Sequence, residues 1–236
     1  MATSEAAFQY EGEELDLFRK AVNWKVYWSG KVLPYLSGDV LEVGAGTGVN
    51  TAFFQSAKVR SWTALEPDES LARQIQLPSS LNGRSMVGTI ASLPSTSLFD
   101  SIIYIDVLEH IEDHAEEMER AAAHLKPNGV LVVLSPAHQF LFTPFDSSIG
   151  HFRRYTRATL QEVAPKELRR EKLVYLDSVG MLASLANRLL LEQSMPTQGQ
   201  VLIWDRLMVP ASRITDRLTF GAIGKTVLGI WRKQNQ

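Results

Sequence analysis

Residues 40–51 read VLEVGAGTGVNT, a strand-like run that ends in three glycines, Gly44, Gly46 and Gly48, each separated by one residue. Glycine at such a turn lets a ligand press against bare backbone and lets the chain take positive φ. The spacing is G-x-G-x-G. The dinucleotide fingerprint G-x-G-x-x-G needs its third glycine at position 49, where this chain has Val49. Without it, the close helix start that receives a pyrophosphate is not on offer. Glu42, two residues ahead of the first glycine, puts a carboxylate at the end of the strand where such sheets bind ligands. A carboxylate there repels phosphate and tolerates an ammonium or a sulfonium. Further on, SWTALEPDES sets Glu66 at the end of a second strand, where an acid can grip two ribose hydroxyls.

Two acids beside a turn that lacks the dinucleotide glycine point to a nucleoside cofactor without phosphates. S-adenosylmethionine fits, with a ribose, a cationic sulfur and an amino-acid tail.

Outward from the turn, strand-like runs recur at VLEV (40–43), SWTALE (61–66), SMVG (85–88), SIIYID (101–106), VLVVLS (130–135), KLVYLD (172–177) and KTVLGIW (225–231). Helical stretches such as ESLARQIQL and HAEEMERAAAHL lie between the early runs. Strand and helix in alternation predict parallel pairing with both faces covered, and the continuous apolar runs SIIYI and VLVVL suit central strands. The expected fold is α/β: a Rossmann-like, seven-stranded, mostly parallel sheet with helices on both faces, an N-terminal helix and a helical insertion before the last strand. LDLFRKAVNWKVYWSGKVLPYL reads as that first helix, with Phe18, Trp24, Tyr27, Trp28 and Tyr35 expected in the core. MLASLANRLLLE and VLIWDRLMVPASRITDRL read as two helices broken by SMPTQGQ and Pro210. One domain over 1–236 is expected. Its parts are an N-terminal helical segment (1–37), a cofactor-binding core (38–177), a helical insertion or cap (178–224) and the last strand (225–236).

A chain of 236 residues can bury one sizeable core. Its 24 basic and 26 acidic side chains leave a net charge of −2, without the basic excess that a nucleic-acid partner calls for. There is no cysteine, which excludes disulfides, thiolate nucleophiles and cysteine zinc sites. The opening MATSEAAFQYEGEELDLF lacks the basic start and apolar core of a signal peptide, and no apolar run reaches the length of a membrane span. A soluble cytoplasmic protein, monomer or homodimer, is the expectation.

Taken in order, VLEVGAGTG, ALEPD, FDSIIYIDVLEHIED and LKPNGVLVVLSP cover positions 38 to 136. Together they resemble the class I S-adenosylmethionine-dependent methyltransferases of the small-molecule, type 11/12 kind, and GHFRRYT resembles a subgroup of them. The resemblance implies that Gly44, Ala45 and Gly46 back the methionyl part of the cofactor and that Glu66, with Pro67, binds the ribose. It implies Asp106 and Val107 near the methionine moiety. Where the family often has an acid for the adenine amino group, this chain has Thr89, so Thr89 and the backbone of Ile90 are the adenine candidates.

Methyl transfer from a sulfonium is an in-line displacement, helped by a base when the acceptor is a hydroxyl. Among the five histidines, His110, His138 and His151 fall after strands on the ligand side, whereas His114 and His124 are expected to be solvated on a surface helix. His110, His151 and Tyr155 are the catalytic candidates. Ubiquinone-pathway and small-RNA methyltransferases carry E-x-x-E-H where this chain has Asp106, Glu109 and His110, and they bind a divalent metal. By that resemblance Asp106, Glu109, His110 and His151 are the metal candidates. The first acid here is one methylene shorter, and a metal is not expected. Arg153 and Arg154 are read either as a grip on an anionic acceptor or as pins to the acidic DVLEHIEDHAEE stretch.

The reading is a methyltransferase for a small or lipid- or sugar-type acceptor, partly hydrophobic and methylated at oxygen. The alternatives are a nicotinamide-dependent oxidoreductase, against which Val49 argues, and a catalytically silent cofactor-binding module, against which the intact turn argues.

Overall fold

The computed structural model describes residues 14–56, 58–190 and 197–235. Among these residues one sheet forms from β1 (Gly38–Val43), β2 (Val59–Glu66), β3 (Gly83–Val87), β4 (Phe99–Ile105), β5 (Leu125–Pro136), β6 (Leu168–Leu176) and β7 (Thr226–Lys233). Their order is β3-β2-β1-β4-β5-β7-β6. The first five run parallel and β7 is antiparallel to both of its neighbours. The seven-stranded, mostly parallel sheet predicted from the alternation of elements is the one that forms.

Strand residues alternate between two cores, as a doubly covered sheet requires. In β5, Val130, Val132 and Leu134 enter one core and Leu131 and Val133 the other. The first core is aromatic: Phe54 lies 5.3 Å from Trp28 and stacks on Trp62 at 5.2 Å. The described helices are α1 (Glu14–Arg19), α2 (Val22–Val32), α3 (Glu69–Ala72), α4 (His114–Ala123), α5 (Pro144–Ser148), α6 (Arg157–Glu162), α7 (Ser178–Leu190), α8 (Gln198–Ile203) and α9 (Val209–Leu218). Trp24, Trp28, Val201 and Val209 of α2, α8 and α9 belong to the first core, and Met118, Ala121 and Leu160 of α4 and α6 to the second.

Several elements differ from expectation. The first segment forms two helices, with the chain turning at Lys20 and Ala21. There the Lys25 ammonium donates to the Phe18 carbonyl at 2.6 Å. The stretch ESLARQIQL keeps only the single turn of α3, since Leu77 precedes Pro78 and is pushed away from helical geometry. Pro210 breaks nothing. It sits in the first turn of α9, where its missing N–H costs no hydrogen bond, and a π-turn over Trp204–Met208 joins α8 to α9. Of the predicted break at SMPTQGQ, residues 194–196 lie outside the described residues.

Three non-glycine residues take positive φ at the carboxyl edge of the sheet: Asp106 (55°), His138 (67°) and Asp177 (65°). Such conformations persist only where surroundings enforce them, and they gather at functional edges.

Candidate active site

The glycine turn follows β1 with φ of 64°, 56° and 76° at Gly44, Gly46 and Gly48. At Gly44 the need for glycine is steric as well, because a Cβ there would stand 2.5 Å from a methyl of Val107. The turn is tied to the end of β2. The Ala45 amide donates to the Leu65 carbonyl at 3.1 Å, and the Gly46 amide donates to Glu66 Oε2 at 2.7 Å. Glu66 Oε1 accepts from the Asp68 amide at 3.0 Å. Burial raises the Glu66 carboxyl, and the two backbone donors offset part of that. Pro67 is half-buried beside it.

Glu42 stands elsewhere than the sequence suggested. Strand parity gives Leu41 and Val43 to the second core, so Glu42 points into the first, beneath the turn. Its Oε2 accepts from the Thr51 hydroxyl at 2.5 Å and the Trp62 indole at 2.9 Å, and burial pushes its carboxyl up to about 7. Through Oε2, Glu42 therefore braces the turn from below. At β3, Thr89 is exposed with its carbonyl accepting from Ser92, while the Ile90 side chain lies inside the second core.

A second cluster gathers past β4. Glu109 is fully buried; its Oε2 accepts from the Ser135 hydroxyl at 2.6 Å, and its Oε1 has no hydrogen-bond partner. His151 places Nε2 3.9 Å from that oxygen and sets its ring edge-on to His110, centroids 4.5 Å apart. Ligand atoms of Glu109, His110 and His151 all lie within 4.8 Å of one another. The other nitrogen of His151 meets Asp146 at 3.0 Å, which fixes the ring. Asp146 is buried and also accepts from Arg154 at 2.7 and 2.9 Å.

Burial and the neighbouring Asp106 raise Glu109 well above the ordinary carboxylate range. Burial and the nearby His151 lower His110 to about 4, so it is neutral at pH 7. Burial alone would lower His151, but the Asp146 and Glu109 carboxylates outweigh it and hold it above its usual value.

Asp106 belongs beside this cluster and not in it. It is open to solvent at the end of β4, yet the dense protein around it raises its carboxyl to about 6, and His151, Lys25 and Lys225 only partly offset the shift. The segment carrying His151 is pinned in place. Arg153 donates to the Ile111 and Glu112 carbonyls at 2.6 and 3.0 Å, and the Phe152 amide donates to the Glu109 carbonyl. Both arginines are thus occupied within the protein. Tyr155, a catalytic candidate by sequence, is instead a packing residue. It is buried, with its hydroxyl against His114 Nδ1 at 2.7 Å and the Leu108 carbonyl at 3.3 Å. That contact also takes His114 out of the solvated role expected of it. His124 is buried too, with Nδ1 2.7 Å from the Ser97 carbonyl.

Around Asp106 stand two cations, Lys25 and Lys225, that the sequence did not single out. Lys25 of α2 is buried, lowered to about 8 by burial, and close enough to Asp106 and Asp205 to feel both charges. Lys225 reaches Asp177 at 3.4 Å with its ammonium 4.1 Å above the Trp204 ring, and the Trp204 indole donates to the same carboxylate at 2.7 Å. The one available signal was Lys25 itself, a cation set among Trp24, Tyr27 and Trp28 on an otherwise apolar helix face. Lys225, Trp204 and Asp146 converge only through the tertiary fold.

Comparison with known proteins agrees with this fold. The profile of the family described as Methyltransferase domain matches residues 17–168. A Rickettsia canadensis protein named Ubiquinone biosynthesis O-methyltransferase is 27% identical over 97 residues, which is 40% of this chain and 41% of that protein. The match thus spans about two fifths of the curated relative. Among solved structures, the methyltransferase in complex with the Haloferax volcanii Trm112 activator superposes with a TM-score of 0.62 at 14% identity, covering 94% of this chain and 95% of that one. Coclaurine N-methyltransferase bound to N-methylheliamine and S-adenosylhomocysteine gives 0.60 at 16% identity, over 96% and 76% of the two chains. At such identities the likeness is one of fold.

Proposed function

This chain belongs to the methyltransferase-domain family, of the class I S-adenosylmethionine-dependent kind, and we propose that it methylates an oxygen of a partly hydrophobic small molecule beside Glu109, His110 and His151. One observation carries this reading: a buried carboxylate oxygen with no hydrogen-bond partner faces two imidazoles, one of them oriented by a second carboxylate. A buried polar atom left unpaired is costly, and it is kept where a ligand completes it. In the reaction the S–CH3 bond of the cofactor breaks as the O–CH3 bond forms, S-adenosylhomocysteine leaves, and the hydroxyl proton goes to Glu109. A carboxyl raised by burial is suited to take that proton near neutral pH.

The cofactor belongs at the turn, with Gly44, Ala45 and Gly46 behind the methionyl part, Glu66 and Pro67 at the ribose, Thr89 and Ile90 at the adenine, and Asp106 and Val107 near the sulfonium. The name of the Rickettsia relatives supports oxygen as the acceptor atom. The donor set of Glu109, His110 and His151 also fits a divalent cation, since its imidazole His110 is neutral and its carboxylate oxygen is unpaired. Bound there, a cation would lower the pKa of an acceptor hydroxyl.

The test pairs binding with turnover. Calorimetric titration with S-adenosylhomocysteine and with NAD is expected to show binding of the first alone. Methyl transfer is then assayed on a panel of catechols and prenylated phenols, with and without a chelator. Methylation at nitrogen or carbon only would overturn the oxygen assignment, and binding without transfer to any acceptor would return the chain to a silent module.

A further inference from the structure

The helices above the cleft have an outer face that methyl transfer does not use. Between Thr197 and Lys225 the acids are Asp205 and Asp216, and both are buried, accepting from the N-terminal amides of α2 and α7. What remains outward is apolar and cationic. Leu207, Ile214 and Leu218 are 67%, 65% and 73% exposed, and Phe220 is 89% exposed. Exposed Arg206, Arg213 and Arg217 are interleaved with them. Within α9, steps of three and four residues keep Arg213, Ile214, Arg217 and Leu218 on one side. A large aliphatic stripe left open in this way marks a docking surface.

Next to the stripe, a cavity of about 250 Å³ opens between α2, β6 and the end of α9; Lys31, Lys172 and Arg217 line it with Val174 and Phe220, and its one acid, Asp216, is engaged by the Tyr27 hydroxyl and the Asp177 and Ser178 amides. No carboxylate forms an ion pair with Lys31, Lys172, Arg213 or Arg217 among the described residues. Aromatic faces hold three of them instead: Lys31 and Arg213 lie 5.4 and 5.8 Å from the Tyr27 ring, and Lys172 lies 5.6 Å from Tyr35. Burial, then the crowding of Lys172, Arg217 and Arg213, lowers Lys31, and the Asp216 carboxylate offsets only part of that.

We infer that this face docks on an anionic lipid bilayer, with Leu207, Ile214, Leu218 and Phe220 entering the interface and phosphate headgroups meeting Lys31, Lys172, Arg213 and Arg217. Charge decides for a bilayer over a protein surface. The stripe offers cations with no exposed acid, the composition of an interfacial helix against anionic headgroups. The inference stands apart from the methyl-transfer reading, because docking needs no turnover.

Flotation of the whole chain with vesicles tests it, using phosphatidylcholine alone and phosphatidylcholine mixed with phosphatidylglycerol. Binding to the mixed vesicles at low salt is expected, at least about tenfold above the neutral ones and weakened by added salt. Arg213→Gln and Arg217→Gln should each weaken it about fivefold, and Ile214→Ser with Leu218→Ser at least about tenfold. All four side chains are exposed, so unchanged melting and unchanged S-adenosylhomocysteine affinity should accompany the loss. A folded wild-type chain that ignores anionic vesicles, or binding indifferent to both pairs of variants, overturns the inference. So does a stable homodimer that Ile214→Ser with Leu218→Ser dissociates, since a second copy would then cover the face.

Discussion

The two halves of the sheet's carboxyl edge are built by different means. On the β1–β3 side, backbone does the work: positive-φ glycines and amides tied to Glu66 shape the cradle, while Glu42 braces it from beneath. On the β4–β6 side, side chains from distant parts of the chain do it, with Glu109, His110 and His151 facing one another and Lys25 and Lys225 close enough to Asp106 beside them to act on its charge. A backbone site is defined by shape and fails when a Cβ intrudes. A side-chain site is defined by charge and fails when a functional group is removed. The two should therefore break independently.

The sharpest break lies on the side-chain half. Glu109→Ala, His110→Ala and His151→Ala are each expected to lower the methylation rate by about two to three orders of magnitude while leaving S-adenosylhomocysteine affinity intact. Single-turnover assays beside calorimetry read both quantities, and a parallel loss of cofactor affinity would erase the distinction between halves. On the backbone half, Gly46→Val should do the reverse. A β-branched residue at a φ of 56° is strained, and its side chain fills the space left for the ligand. About hundredfold weaker S-adenosylhomocysteine binding is expected, with the fold retained. Unchanged affinity would move the cofactor elsewhere.

One group from each half, Glu42 and His110, should also answer pH with opposite sign. Glu42 goes from an ordinary 4.5 to about 7 on folding, so between those values the folded chain keeps a proton that the unfolded chain has lost. Stability from this group falls as pH rises through that window, by about 1–3 kcal/mol. Glu42→Gln keeps an oxygen for Thr51 and Trp62 and should flatten that fall. His110 goes from 6.5 to about 4, so its contribution is lost as pH falls through that range. His110→Gln should flatten the acid limb instead. Urea unfolding midpoints across pH 4–8 separate the two, and slopes of the same sign would contradict the burial assigned to one of them.

This contrast also explains what a line of sequence could reveal. The glycine turn, the place of Glu66 and the succession of strands were legible because local backbone chemistry and short apolar runs encode them within a few residues. His151 was legible only through the resemblance of GHFRRYT to a known subgroup, and its partner Asp146 was not. Their meeting depends on a capping box at Thr143 and on Arg153 reaching back to Ile111. Glu42 was legible as the acid at the strand end, but its bonds to Thr51 and Trp62 beneath the turn were not, because they form only once strand parity turns it toward the first core.

The smallest expected effects come from two helix caps, one on each side. Asp68 caps α3 locally, its carboxylate accepting from the Ser70 and Leu71 amides at 2.7 and 3.1 Å. Helix α2 begins at Ala21, which has no side chain to offer, and its amides at Asn23 and Trp24 are met by Asp205 from far along the chain. Either loss should cost about 1 kcal/mol, or a melting drop of about 2–4 °C for a chain of this size. The costs should land in different places. Asp68→Ala loosens the residue whose amide holds Glu66, so cofactor affinity should weaken slightly. Asp205→Asn loosens the helix that carries Lys25 over the cleft, so the acceptor KM should rise while cofactor affinity stays put. If Asp205→Asn weakened S-adenosylhomocysteine as much as Asp68→Ala does, α2 would belong to the cofactor cradle and the division of the edge into two sites would have to be redrawn.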